Sequence, residues 1–157
     1  MAEEKKYNDD QAKEKLEMIE QKLAAERKDW KEKIHDLIKM IKGTSTLAEA
    51  QVFMLSYRQL FVEKITELRG LLMKKQKSID TFYKDQYREY TINYDIKLSP
   101  AEKNQFIKAD LANLRMQAEL LENQINFFQE SVKTMDTMSF SINNRIKLAE
   151  AQLDQWT

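Results

Sequence analysis

Residues 99–156 read SPAEKNQFIKADLANLRMQAELLENQINFFQESVKTMDTMSFSINNRIKLAEAQLDQW, and their pattern settles the fold class. The run opens on the clearest helix start in the chain. Ser99 caps, Pro100 suits the first helical position, and Glu102 closes a capping box. Heptad positions follow at Ile107, Leu111, Leu114, Ala118, Leu121, Ile125, Phe128, Val132, Met135, Ser139, Ile142, Ile146, Ala149, Leu153 and Trp156. The steps alternate four and three, and Ser139 is the one polar member. Such a repeat predicts one uninterrupted helix whose seam needs a partner helix. Thr137, Ser139 and Ser141 lower helix propensity and predict a bend near them.

Working outward, two more helices are legible. The first runs from about Asp9 to Lys42, with Leu16, Ile19, Leu23, Trp30, Ile34, Leu37 and Ile41 on one face. Gly43 follows where a left-handed C-terminal cap is wanted. Thr46 and Glu49 read as a second capping box. It opens a helix from about Leu47 to Tyr90, with Met54, Tyr57, Phe61, Ile65, Leu68, Leu72, Ile79 and Phe82 as its stripe. Gly70 lies inside that helix, at a cost of about 1 kcal/mol relative to Ala. It reads as close packing or a mild weak point. From Thr91 to Leu98 the period changes to two, the mark of an extended segment. That segment either stays a loop, lies along a helix, or pairs with a copy in another subunit.

Composition narrows the function. The chain has 157 residues, 26 basic and 26 acidic, with one His, no Cys, two Gly and one Pro. Without Cys there are no disulfides, thiolate metal sites or cysteine nucleophiles. One His leaves no material for a His-based metal site or a Ser-His-Asp triad. Scarce Gly excludes glycine-rich phosphate loops. His35 reads as a packing or surface residue, and acidic pairs such as Asp9-Asp10 as solvated helix surface. No enzymatic activity, cofactor or metal is expected. The polar N-terminus lacks a signal core, and no apolar run is long enough to span a bilayer. A cytoplasmic protein without membrane contact is expected.

Charge is balanced in residues 1–42, with 11 basic and 11 acidic groups. Residues 58–97 carry 9 basic and 6 acidic groups, the one net positive segment. Its cations include Arg58, Lys64, Arg69, Lys74, Lys75, Lys77, Lys84 and Arg88, interleaved with Phe82, Tyr83, Tyr87, Tyr90 and Tyr94. Cations neutralise phosphates and aromatic faces stack on bases, so the pattern suits single-stranded nucleic acid. Lys74, Lys75, Lys77, Lys84 and Arg88 are the candidate phosphate contacts. Tyr83, Tyr87 and Tyr90 are the candidate base-stacking groups. The competing reading has the aromatics as core and the lysines as solvated face.

The chain also resembles the UvsY-type recombination mediators of tailed phages, over roughly residues 54–150. One carrier is Tyr83-Lys84-Asp85-Gln86-Tyr87-Arg88-Glu89-Tyr90-Thr91. Family members show a basic residue, a spacer, a second basic residue, two aromatics, Ser and Gly at that place. Lys84 matches the first basic position and Tyr90 the second aromatic. Gln86, Glu89 and Thr91-Ile92 depart from the pattern. The other carrier is the C-terminal helix, with Ile107-Lys108-Ala109-Asp110-Leu111, Phe127 to Lys133, and Phe140 to Ile146. The resemblance implies a ring-forming protein that binds single-stranded DNA and loads a recombinase in place of a single-strand-binding protein.

The expected architecture is therefore all-α: a long-helix hairpin or bundle with a C-terminal heptad helix, assembling into an oligomer, with a ring as the expected form. Residues 1–43 form a charged N-terminal extension, and 44–157 the DNA-binding and oligomerisation core. Long thin helices enclose little core, so self-association is assigned to Leu121, Ile125, Phe128, Val132, Met135, Ile142 and Ile146. The alternative is a structural coiled-coil phage protein, a scaffold, chaperone or tail component, without nucleic-acid binding.

Overall fold

A computed structural model of the chain describes residues 2–93 and 97–154, with side chains at 11–43, 45–93 and 97–152. Four α-helices make it up: α1 (Ala2–Lys42), α2 (Leu47–Ile92), α3 (Pro100–Asp110) and α4 (Ala112–Asp154). A single 3-10 turn, Thr44–Thr46, links α1 to α2. No strand occurs among the described residues. Thr91 and Ile92 complete α2 and Asn93 is a turn, so the alternating segment does not begin as a strand. Its centre, residues 94–96, lies outside the described residues, as does Trp156.

The chain divides into two compact units, and the division runs across the helices. Met1–Ala24 and Leu68–Asn123 form the first, Ala25–Glu67 and Gln124–Thr157 the second. Residues 1–43, expected as an extension, thus contribute to both units.

The second unit has an aromatic core. Trp30 meets Tyr57 and Phe61 edge-on, with centroids 5.4 and 4.8 Å apart. Phe61 packs on Phe128 at 5.3 Å. Leu37, Met54, Met135 and Ile142 are buried in the same unit. Each fully buried large side chain contributes about 1.5–3 kcal/mol. In the first unit Leu16, Leu68, Ile107 and Leu111 are buried.

The seam assigned to subunit contact is therefore used inside the chain. Ile125, Phe128, Met135 and Ile142 are buried, and Leu121, Val132 and Ile146 half-buried. In the second unit, α1 and α2 of the same chain supply the partner faces. A heptad specifies that a partner exists and is silent on whose chain provides it.

Three local expectations are corrected. Gly43 has φ −90° and ψ 133°, an extended backbone, not a left-handed cap. A Cβ there would lie 2.9 Å from Thr46 Oγ1, so close approach is what requires Gly. Thr46 does not box with Glu49. Its hydroxyl turns back and shares its one proton between the carbonyls of Met40, at 2.5 Å, and Gly43, at 3.1 Å. Arg145 of α4 donates to the Ile41 carbonyl. Together these groups satisfy carbonyls that the end of α1 leaves open. Finally, the expected single C-terminal helix is interrupted at Leu111, with φ −83° and ψ −7°. The amides of Leu111 and Arg115 still bond four residues back, so the interruption is one relaxed residue. α4 is helical throughout Ala112–Asp154, Thr137–Ser141 included.

The start of α3 follows expectation. Glu102 N–H donates to Ser99 Oγ at 3.3 Å, and the Ser99 amide donates to the Glu102 carboxylate at 2.8 Å. Gly70 has nothing within 4 Å of an added Cβ, so close packing is not its reason.

Two stability predictions follow from these sites. Gly70→Ala should raise Tm by about 2–4 °C, from roughly 1 kcal/mol of helix propensity. Gly43→Ala should lower Tm by displacing the Thr46 cap, whose one hydroxyl proton, shared between two carbonyls, contributes about 0.5–1.5 kcal/mol. Thermal melts that move both variants in the same direction would contradict this contrast. The third prediction concerns Glu102, whose pKa is held below the usual carboxylate value by hydrogen bonds from the Ser99 hydroxyl and amide. A folded value below the unfolded one stabilises above the unfolded pKa. That contribution is lost as pH falls through the folded value. The protection of the Ser99 and Glu102 amides, relative to intrinsic exchange at each pH, should therefore fall in acid, and an equal fall in Glu102→Gln would refute it.

Candidate nucleic-acid interface

Apart from Arg69, which is exposed, the cations of residues 58–94 fall into two sets. One set is engaged within the chain. Arg58 donates to Asp136 at 2.7 Å, and that hydrogen bond and charge raise the guanidinium pKa further. Lys64 lies 3.5 Å from Glu26 and 3.8 Å from Glu67. Lys75, one of the candidate phosphate contacts, donates to Gln117 at 2.8 Å.

The other set is Lys74, Lys77, Lys84 and Arg88. All four are exposed, and no ion pair joins any of them to a carboxylate among the described residues. With Thr81 they follow steps of three and four along α2, which places them on one helix face. Neighbours in such a row rise about 4.5–6 Å along the axis, and the whole row spans about 21 Å. Beside it runs a shallow furrow of about 440 Å³ lined by Lys74, Lys77, Ser78, Thr81, Phe82 and Asp85. Asp80, Asp85 and Glu89 are exposed on the same helix and dilute the field without pairing to the row.

The tyrosines are placed differently. Tyr83 donates to Asn104 at 2.8 Å and Tyr90 to Asp110 at 2.7 Å. Tyr90 also stacks on Phe106, with centroids 5.9 Å apart. Lys103 donates to Thr91 Oγ1 at 3.0 Å, and its ammonium sits 5.6 Å from the Tyr87 ring centroid. Tyr83 and Tyr87 stack at 6.2 Å and each keeps 37% of its surface exposed. The base-stacking candidates thus face α3, while the phosphate candidates other than Lys75 face solvent. Lys103, Asn104, Phe106 and Asp110 were missed in the sequence. The available signal was the spacing of Tyr83, Tyr87 and Tyr90, which puts three rings on one side of α2 and calls for a cover.

Other sites offer less. His35 is exposed beside a furrow on α1 with Lys28, Lys31, Glu32, Asp36 and Lys39. No cluster of three metal-binding side chains occurs among the described residues. None of the described helices is long and apolar enough to cross a membrane. Compared with protein-family models, curated proteins and solved structures, the chain matches none.

Proposed function

We propose that the chain is a non-enzymatic mediator of recombination. It binds single-stranded DNA and helps load a recombinase in place of a single-strand-binding protein. The observation that supports this reading is the row Lys74, Lys77, Lys84 and Arg88, exposed and unpaired among the described residues. A row of cations on one helix face with no carboxylate partner is suited to a polyanion. Lys75 is better regarded as structural, since it holds Gln117. The single-strand preference rests on the neighbouring tyrosines and on the resemblance of residues 83–91.

Both protein partners, and a host-cell cytoplasmic location, are part of the proposal and rest on that resemblance. Self-association would multiply the affinity of one row for a long polymer. It falls to side chains outside the buried seam. Val52, Leu55 and Val62, at 64%, 55% and 40% exposure on one edge of α2, are apolar groups available for it. The same exposed edge favours the second reading, a structural phage protein that assembles through α2 and binds no DNA.

Anisotropy of a labelled poly-dT oligonucleotide at several salt concentrations separates the two. Wild-type protein should bind, with log K falling linearly with log salt. Lys84→Ala with Arg88→Ala should weaken binding and reduce the slope by up to about 1.4, at about 0.7 for each single-strand phosphate contact. An unchanged slope removes these two residues from the interface. Absence of binding at low salt by folded protein supports the structural reading.

A further inference from the structure

The aromatic half of the interface is already occupied. Four α3 side chains, Lys103, Asn104, Phe106 and Asp110, cover the three tyrosines of α2. Their chemistry parallels what a nucleotide would supply. A ring stacks on Tyr90, and polar acceptors take the hydroxyls of Tyr83 and Tyr90.

The attachment has two grades. Ile107 is fully buried, and so is Leu111 at the junction with α4. The contacts to the tyrosines are instead solvent-exposed: Tyr83, Asn104, Tyr87, Asp110 and Phe106 all keep substantial surface, Phe106 45%. Exposed polar contacts exchange readily with water and contribute little net. Leu111 also supplies a relaxed residue at one end of α3, and Lys97 and Leu98 at the other are non-helical. The helix can therefore rock on its apolar anchor and release the tyrosines without unfolding the unit.

We propose, resting on the mediator reading above, that α3 is an intramolecular latch over Tyr83, Tyr87 and Tyr90, displaced when single-stranded DNA takes those rings. The row of cations is open in the latched state and makes the first contact. Stacking follows once α3 moves. Apparent affinity is then reduced by the fraction of molecules that are latched.

Asn104→Ala with Phe106→Ala loosens the latch without changing net charge and leaves Ile107 and Leu111 in place. This variant should bind a dT oligonucleotide about five- to tenfold more tightly, the scale of one exposed hydrogen bond and one ring pair. Its salt slope should match wild type, because no cation is altered. Tyr83→Phe keeps the ring and removes the hydroxyl, and should also tighten binding. In the wild type, added oligonucleotide should move the Phe106 ring resonances, as the ring leaves Tyr90, while the α3 amides keep their protection. If wild type binds but the variants bind no tighter, or the Phe106 resonances do not move, the latch is overturned and the mediator reading stands. If neither wild type nor variant binds at low salt, both are overturned.

Discussion

Gln124 holds the second unit in register. Its side chain is fully buried on α4, accepts a hydrogen bond from Arg27 at 2.7 Å and donates to Glu26 at 2.9 Å. Glu26 in turn pairs with Lys64 of α2. One amide thereby ties three helices at one level. Apolar seams alone permit sliding by a turn, because one Leu or Ile replaces another. A buried amide does not, since a slip would strand it at about 1–3 kcal/mol. Polar groups inside an apolar seam fix register in this way in coiled coils. Phe61 against Phe128 and Arg58 against Asp136 are compatible with that level. In the first unit the equivalent clasp is Lys75 on Gln117, itself nearly buried.

These clasps also explain which cations remain for a partner. The chain has no net charge, so attraction to a polyanion cannot come from its overall field. With a screening length of about 8–10 Å, only the local arrangement matters. Arg27, Arg58, Lys64 and Lys75 meet acceptors across helices and serve the fold. Lys33, Lys39 and Lys133 meet carboxylates three or four residues away on their own helix. Lys74, Lys77, Lys84 and Arg88 have neither kind of partner among the described residues. Neutrality of the whole chain and a reactive row on one helix are therefore consistent.

Much of this architecture was legible because helix starts and heptads are local signals. Ser99-Pro100-Ala101-Glu102 forms the box its residue types dictate. The apolar stripes became buried faces. What stayed illegible depends on distant groups. Gly43 invites the left-handed reading, yet its reason is a Thr46 hydroxyl folded back onto α1, a contact absent from any spacing rule. The heptad of α4 looks the same whether its partner is a copy or the chain's own α1 and α2. The tyrosines looked available because sequence shows that they share a side of α2, not that Asn104, Phe106 and Asp110 return to meet them.

The two ends of the C-terminal segment are held by different physics, and that difference bears on function. α4 buries large apolar groups at Ile125, Phe128, Met135 and Ile142, each contributing about 1.5–3 kcal/mol. Displacing it would cost a large share of the 5–15 kcal/mol typical of a whole domain. α3 buries Ile107 and shares Leu111 at its end, and its contacts with Tyr83, Tyr87 and Thr91 are exposed hydrogen bonding and ring contact. Elements with few buried contacts populate open states most readily. α3 is thus held by fewer buried side chains than α4, and it lies over the side chains whose chemistry best suits bases. A base that stacks on Tyr87 competes with the Tyr83 ring and the Lys103 ammonium, both at the surface, and not with the large apolar groups that hold α4.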